Sequence, residues 1–133
     1  MNTFPLQIVT PDGLQFDGQA QSLLVRTISG DMAVLAGHVN CVTPLGMGRA
    51  EVVTEEGRRT AACIGGVISV LDGQVRLVPT TFEWADKIDL GRAEDAEKRA
   101  REVLKGAKDK RELLLAEARL KRALVRESVY RER

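Results

Sequence analysis

The residues that could do chemistry lie in and around one short stretch, "IDLGRA" at residues 88–93. Asp89 is well placed to cap a following helix, because its carboxylate can accept hydrogen bonds from backbone N–H groups of the first turn. Capping does not explain Arg92. A positive charge in the first turn opposes the helix dipole, at a cost of up to about 1 kcal/mol.

Three further arginines are predicted to lie near Arg92. Arg99 follows by two helical turns and therefore lies on the same side of the helix. Arg122 and Arg126 share a face of a second helix through their i, i+4 spacing. If the chain reverses around residues 106–109, Arg92 stands level with residue 123, and the nearest acids are Asp89 and Glu83.

A cluster of four arginines repels itself unless salt bridges or a bound anion neutralise it. Asp95 and Glu102 are close enough to Arg99 in the helix to do part of this. The spacing alone therefore leaves two interpretations open, a solvated charged face and an anion or nucleotide site.

Other kinds of chemistry find little support in the sequence. His38 is the only histidine, and no nucleophile or acid is convincingly placed beside it, which favours a loop histidine that packs or caps. Cys41 and Cys63 lie in apolar surroundings and are expected to be reduced, buried thiols. One histidine and two separated cysteines make a poor zinc site. We expect no catalytic residue, no metal and no required cofactor.

Composition divides the chain into two parts near residue 85. Residues 1–85 contain five arginines, no lysine and eight acidic residues, whereas residues 86–133 contain fifteen basic and eleven acidic residues. All four prolines and ten of the twelve glycines lie in the first part. Because glycine and proline form turns and break helices, a turn-rich domain, 1–85, is predicted to precede a helical one, 86–133. The chain has neither secretory features at its N-terminus nor an apolar run long enough to enter a membrane directly.

The second part is predicted to be an antiparallel two-helix hairpin. One helix should run from Leu90 to Gly106 and the other from about Asp109 to Tyr130, joined by a short connection. Their apolar stripes are Ala93, Ala96, Ala100, Val103 and Ala107 in the first helix, and Leu113, Ala116, Leu120, Ala123 and Leu124 in the second. Alanine buries little area, so the hairpin is either a weakly fixed moving part or permanently docked.

The first part is predicted to be an antiparallel β-sandwich or flattened barrel. Apolar residues alternate in "LQIVT", "RTAACIG" and "GQVRLVP". Turn signals separate the predicted strands at Pro11-Asp12-Gly13, Asp17-Gly18, Ser29-Gly30-Asp31, Glu56-Gly57 and Asp72-Gly73. The last of these is a strong signal for a type I′ hairpin turn.

These features together resemble the epsilon subunit of bacterial F-type ATP synthase. The segments "LQIVTPDG", "SGDMAVLAGHVNCVTPLGMG" and "IGGVISVLDGQVRLV" occur in the family's order and precede a helical hairpin of the right length. Two departures stand out in the second segment. Ala36 replaces the usual proline before Gly-His, and Asn40-Cys41 replaces a common proline-leucine pair.

The resemblance implies a fold, a role and a set of partners. The fold is a sandwich of about ten strands followed by two helices, carried on the rotor stalk that couples proton translocation to ATP synthesis. The sandwich would contact the gamma subunit and the membrane rotor ring. The helices would extend into the alpha/beta catalytic hexamer and block hydrolysis. The subunit would be non-catalytic and peripheral, on the cytoplasmic face of the bacterial membrane.

The resemblance also implies a regulatory ligand, ATP. "IDLGRA" matches the motif I/L-D-x-x-R-A of the members that bind ATP, and those members use one further glutamate and three further arginines. The nucleotide-binding residues that carry over by position are Glu83, Ile88, Asp89, Arg92, Ala93, Arg99, Arg122 and Arg126.

Two other functions compete with a regulatory rotor subunit. A free-standing nucleotide sensor would bind ATP without a stalk partner. A basic helical module for nucleic acid is disfavoured, because the charge of the tail is nearly balanced and Trp84 and Tyr130 are the only aromatic residues near it.

Overall fold

Ten strands are followed by a short 3-10 helix and two α-helices in this computed structural model, which describes residues 2–133. The strands are β1 Phe4–Thr10, β2 Gly13–Ala20, β3 Ser22–Thr27, β4 Gly30–Val34, β5 Cys41–Pro44, β6 Met47–Thr54, β7 Gly57–Ile64, β8 Val67–Leu71, β9 Gln74–Val78 and β10 Thr81–Trp84. The helical elements are the 3-10 turn Ala85–Lys87, α1 Leu90–Gly106 and α2 Lys110–Arg131.

The strands form two five-stranded sheets, with the orders β2-β1-β9-β8-β5 and β10-β7-β6-β3-β4. The two sheets make a β-sandwich, which confirms the predicted fold class. One pair departs from the antiparallel pattern, because β1 runs parallel to β9 with Leu6 opposite Val75 and Ile8 opposite Leu77. Such a pairing joins distant parts of the chain, so no local sequence signal marks it.

A single aliphatic core lies between the two sheets. The alternation predicted this for β1 and β9, since Leu6, Ile8, Val75 and Leu77 are all buried. Strand β7 differs from the prediction, because all residues from Thr60 to Ile64 are buried rather than every second one. A central strand covered on both faces loses its alternation and gives a continuous buried run.

The predicted turn at Asp72-Gly73 is confirmed. Both residues have positive φ, 49° and 81°, as a type I′ turn between β8 and β9 requires. Asn40 accepts a hydrogen bond from the backbone N–H of Asp72 at 2.9 Å, which gives this departure from the family pattern a structural role. The turn predicted at Asp17-Gly18 is wrong, because both residues lie inside β2.

Gly66 is the glycine that the fold constrains most. Its φ is +89°, and a Cβ added there would overlap the carbonyl oxygen of Val78 and lie 2.6 Å from the Cα of Pro79. A side chain would therefore meet both backbone strain and rigid backbone atoms. This explains the "GG" pair before β8 as a close backbone approach.

The helical part begins and ends where the sequence predicts. Asp89 and Asp109 are the N-caps of α1 and α2, and each accepts a hydrogen bond from a backbone N–H three residues on, at 3.1 and 2.8 Å. Gly106 is the last residue of α1. The two helices pack against each other, as the short connection between them predicts.

The packed face of the hairpin is narrower than the predicted stripes. Ala93, Ala100, Ala116 and Ala123 are buried, whereas Val103, Leu113 and Leu124 are about two-fifths exposed. Small side chains thus form most of the contact between the helices, and the larger apolar residues near the connection contribute little.

Contacts divide the chain into two compact units. One runs up to Trp84 and contains all ten strands, and the other is Ala85–Arg133. Among the described residues, neither helix is long and apolar enough to cross a membrane.

Candidate functional site

The "IDLGRA" stretch forms the entry to α1. Asp89 has an extended backbone, with φ −89° and ψ 100°, and its side chain accepts from the backbone N–H of Arg92. The backbone N–H of Ala93 donates to the backbone oxygen of Asp89 at 3.1 Å. Capping is therefore one confirmed role of Asp89.

The motif residues divide by burial into an inner and an outer set. Ile88 and Ala93 are buried, whereas Asp89 and Arg92 are exposed. The apolar residues of the motif thus fix the first turn of α1, while its charged residues face outward. This arrangement leaves the guanidinium of Arg92 available to an anion.

Two contacts across the hairpin fix its register. The guanidinium of Arg131 in α2 donates from Nη2 to Oε2 of Glu94 in α1 at 3.0 Å. The carboxyl groups of Glu97 in α1 and Glu127 in α2 lie within hydrogen-bonding range of each other. Residue 97 therefore stands level with residue 127.

This register differs from the predicted one and separates Arg92 from Arg122. Arg92 lies five residues from Glu97 toward the start of α1, and Arg122 lies five residues from Glu127 toward the connection between the helices. At about 1.5 Å per residue, the two arginines are about 15 Å apart along the hairpin axis. The expectation that Arg92 stands level with residue 123 is wrong.

The same register brings Arg99 level with Arg126. Both lie slightly on the connection side of the Glu97–Glu127 contact, with Arg122 about one turn further on. The four arginines therefore form a line along the hairpin rather than one compact cluster, with Arg92 at one end. Arg92, Arg99 and Arg122 are exposed and Arg126 is half-buried.

Ion pairs engage other arginines of the hairpin instead. Arg101 Nε donates to Glu97 at 2.7 Å, and Arg131 pairs with both Glu94 and Glu127 at 3.0 Å. Within residues 2–133, no carboxylate pairs with the guanidinium of Arg92, Arg99 or Arg122, so Asp95 and Glu102 do not neutralise Arg99 as expected.

Glu83 belongs to the sandwich unit. It lies in β10, half-buried, opposite Ala62 of β7. Its neighbour Trp84 is buried and carries the guanidinium of Arg59 at 3.7 Å from the ring centroid. Strand β10 thus gives Glu83 a fixed place in the sandwich.

Sequence reasoning missed Glu127, which is only 5% exposed. It continues the buried face of α2, because it follows Ala123 by four residues. That spacing was the available signal, but a glutamate is normally assigned to a solvated face. Burial and the contact with Glu97 raise the pKa of Glu127, while the hydrogen bond from Arg101 lowers the pKa of Glu97.

The residues disfavoured as catalytic are placed as follows. His38 is half-buried in the loop after β4, where its Nδ1 lies 2.8 Å from the carbonyl oxygen of Val39. Cys63 is buried, and burial raises the pKa of its thiol to about 12, whereas Cys41 is only half-buried. The part of the chain that the structure describes contains no group of acidic, histidine or cysteine side chains suited to a metal.

Two family models together match most of the chain. The ATP synthase delta/epsilon chain β-sandwich domain matches residues 3–85, and the long α-helix domain of the same chain matches residues 86–129. The "ATP synthase epsilon chain" of Ruminococcus albus is 35% identical over 130 residues, covering 97% of each chain. That of an Exiguobacterium species is 37% identical over 131 residues, covering 97% of this chain and 96% of the relative.

Solved structures show the same similarity. A chain in the Euglena gracilis mitochondrial ATP synthase assembly of OSCP, F1 and c-ring has a TM-score of 0.84 and 26% identity, covering 95% of this chain and 80% of its own. A chain in the central stalk and c-ring of the Tetrahymena thermophila enzyme shares the fold, with a TM-score of 0.66 at 11% identity and 95% of each chain covered. On its sandwich, its helices and its relatives, the chain belongs to the ATP synthase delta/epsilon family, among the epsilon chains.

Proposed function

We propose that the chain is the non-catalytic epsilon subunit on the central stalk of an F-type ATP synthase, and that ATP binds its closed helical hairpin. The named relatives and the rotor assemblies that contain similar chains support the first part. The sandwich would contact the gamma subunit and the membrane rotor ring, on the cytoplasmic face of the bacterial membrane. The extended helices would contact the alpha/beta catalytic hexamer and regulate hydrolysis.

One observation carries the ATP part of the proposal. Arg92, Arg99 and Arg122 follow one line along the hairpin, and no carboxylate among the described residues neutralises them. Neighbouring Arg101 and Arg131 show that carboxylates of this hairpin do form ion pairs where geometry allows. A polyanion placed along the line would supply the missing negative charge through charge-assisted hydrogen bonds.

The order of residues along the hairpin suggests how a nucleotide would lie. Ile88, Asp89 and Arg92 stand at one end, and we assign them the adenosine. Arg99 and Arg126 stand about 10 Å further along, level with each other, with Arg122 beyond them, and we assign these three the phosphates. An extended molecule such as ATP fits this order better than a compact anion would.

Binding of this kind would favour the closed hairpin. Arg92 and Arg99 belong to α1, whereas Arg122 and Arg126 belong to α2, so full contact requires both helices together. A ligand shifts a conformational equilibrium only by its differential affinity for the two states. ATP would therefore hold back the inhibitory, extended form, and its depletion would release the helices.

Calorimetry on the purified full chain tests the site. We expect Arg122→Ala to weaken ATP binding by about 10- to 100-fold, the equivalent of about 1.5–3 kcal/mol for a hydrogen bond to a charged group. Arg119→Ala is the matched control, because Arg119 is an exposed arginine of the same helix outside the line. Equal loss in both variants, or no loss in Arg122→Ala, would remove the assigned site.

A pull-down from a membrane extract tests the stalk assignment separately. Recovery of ATP synthase subunits with the tagged chain is expected. ATP binding without such recovery would favour a free-standing nucleotide sensor instead.

A further inference from the structure

Glu127 is a carboxyl group buried in the contact between the helices. Its side chain is 6% exposed, and it continues the face formed by Ala116 and Ala123. It is the only buried charged residue among those the structure describes. Removing a carboxylate from water is costly unless the charge is paired or the group takes up a proton.

The groups around Glu127 come from both helices. Arg131, one turn further along α2, donates to its Oε1 at 3.0 Å and to Glu94 of α1 at the same distance. Glu97 faces it from α1 and is itself paired with Arg101. The 3-10 turn also packs on α2, but its charged residues, Asp86 and Lys87, are exposed, and neither pairs with Glu127 among the described contacts.

The second oxygen of Glu127 has no donor. Oε2 is buried, and no hydrogen-bond partner for it occurs in residues 2–133. The Glu97 carboxyl lies within hydrogen-bonding range, but two ionised carboxylates only accept hydrogen bonds. With every group ionised, this cluster would hold three carboxylates and two guanidinium groups, which leaves one uncompensated negative charge.

We propose that Glu127 and Glu97 share one proton across the contact between α1 and α2, and that uptake of this proton stabilises the closed hairpin. The proton neutralises the remaining charge and supplies the O–H that the two carboxyl groups otherwise lack. It resides mainly on Glu127, because Glu97 is held in its ionised form by Arg101. The effect needs no nucleotide, so it stands apart from the ATP site.

The pKa shifts give the pH range in which the hairpin is stable. The pKa of Glu127 is raised in the folded chain, so its contribution is present at low pH and is lost as pH rises through that folded pKa. The pKa of Glu97 is lowered, so its contribution is lost as pH falls through its own folded value. Stability of the hairpin should therefore be greatest between the two and should decline on the alkaline side.

Carbon-13 NMR of the glutamate carboxyl groups in the full chain, without nucleotide, tests the shared proton. The midpoint of Glu127 is expected above that of exposed Glu117 in the same helix and the same titration. Glu97→Gln should move the Glu127 midpoint down, because it removes a neighbouring negative charge and adds an amide donor. Coincident midpoints for Glu127 and Glu117, or no response to Glu97→Gln, would overturn the proposal.

Amide hydrogen exchange tests the consequence for stability. After correction for intrinsic exchange rates, protection of α1 and α2 should decline as pH rises above the Glu127 midpoint. Glu127→Gln should abolish that decline, while the control Glu117→Gln should retain it. A decline that persists in Glu127→Gln would show that another group controls the hairpin. If Glu127→Gln fails to fold, the same comparison with Glu97→Gln decides, because its decline should begin at the lowered Glu127 midpoint.

Discussion

Asp89 combines two roles at the residue scale, and a single atom change can separate them. Its carboxylate caps α1 through the backbone N–H of Arg92, and its exposed position next to that arginine puts it in the assigned adenosine site. Asparagine caps helices about as well as aspartate does, but it carries no charge. Alanine removes both the cap and the charge.

We therefore expect Asp89→Asn to keep the stability of α1 and still weaken ATP binding. Asp89→Ala should weaken binding and also cost about 1 kcal/mol of helix stability through the lost cap. Calorimetry with ATP and thermal unfolding followed by circular dichroism measure the two effects. If Asp89→Asn binds ATP as tightly as the original chain does, Asp89 acts only as a cap.

Gly66 supports a prediction about the sandwich. Gly66→Ala should destabilise it by at least about 3 kcal/mol, because the new Cβ combines a positive φ with overlap of backbone atoms. Gly73→Ala is the matched control, since its φ is also positive but open space surrounds its Cα. That change should cost about 1 kcal/mol. Urea unfolding compares them, and similar losses would contradict the close approach assigned to Gly66.

At the scale of elements, the hairpin depends on small side chains. Ala123 is 1% exposed, so Ala123→Leu should force the helices apart at a typical overpacking cost of about 1–3 kcal/mol. Hydrogen exchange should rise in α1 and α2 and stay unchanged in the strands. Ser128→Leu adds the same bulk at an exposed position and should leave exchange nearly unaltered. Unchanged protection in Ala123→Leu would mean that the helices pack more loosely than described.

The sequence predicts those features that depend on neighbours in the chain. The caps at Asp89 and Asp109, the end of α1 at Gly106 and the turn at Asp72-Gly73 all follow from local backbone chemistry, and all are confirmed. The register of the hairpin does not follow in this way. It depends on which side chains meet across two helices, and the buried Glu127 was assigned to no face.

The candidate site was accordingly predictable in its residues but not in its shape. Arg92, Arg99, Arg122 and Arg126 stand out by type and spacing. Their arrangement in a line follows only once Glu97 is placed beside Glu127. The parallel pairing of β1 and β9 was missed for a similar reason, since its partners lie far apart in sequence.

At the scale of the whole molecule, the sandwich should fold without the hairpin. The buried residues of its core cluster run from Phe4 to Trp84, and all ten strands lie within the same range. A fragment of residues 1–85 is therefore expected to stay folded and to join the rotor, while losing inhibition of hydrolysis. Circular dichroism and two-dimensional NMR measure the fold. An unfolded fragment would show that the helices supply stability to the sandwich.

ATP should control the distance between the two helices in the assembled enzyme. If ATP binds only the closed hairpin, it stabilises that form by about 2.7 kcal/mol at about a hundredfold excess over its Kd. Distance labels at Lys98 and Lys121, which are both exposed, should report a short distance at high ATP and a longer one on depletion. Arg122→Ala should blunt this response. A distance that ignores ATP would exclude the switch even if ATP binds.

The parallel pairing of β1 with β9 has a consequence for how the chain acquires its fold during synthesis. β1 lies between β2 and β9 in its sheet, so one edge of the first strand made stays unpaired until Gln74–Val78 has left the ribosome. Contacts between such distant segments close slowly, because the intervening chain must be ordered first. The nascent sandwich therefore completes late, just before the helices emerge. A stalled chain that ends before β9 would expose an apolar strand edge, the kind of surface that chaperones bind and that aggregates.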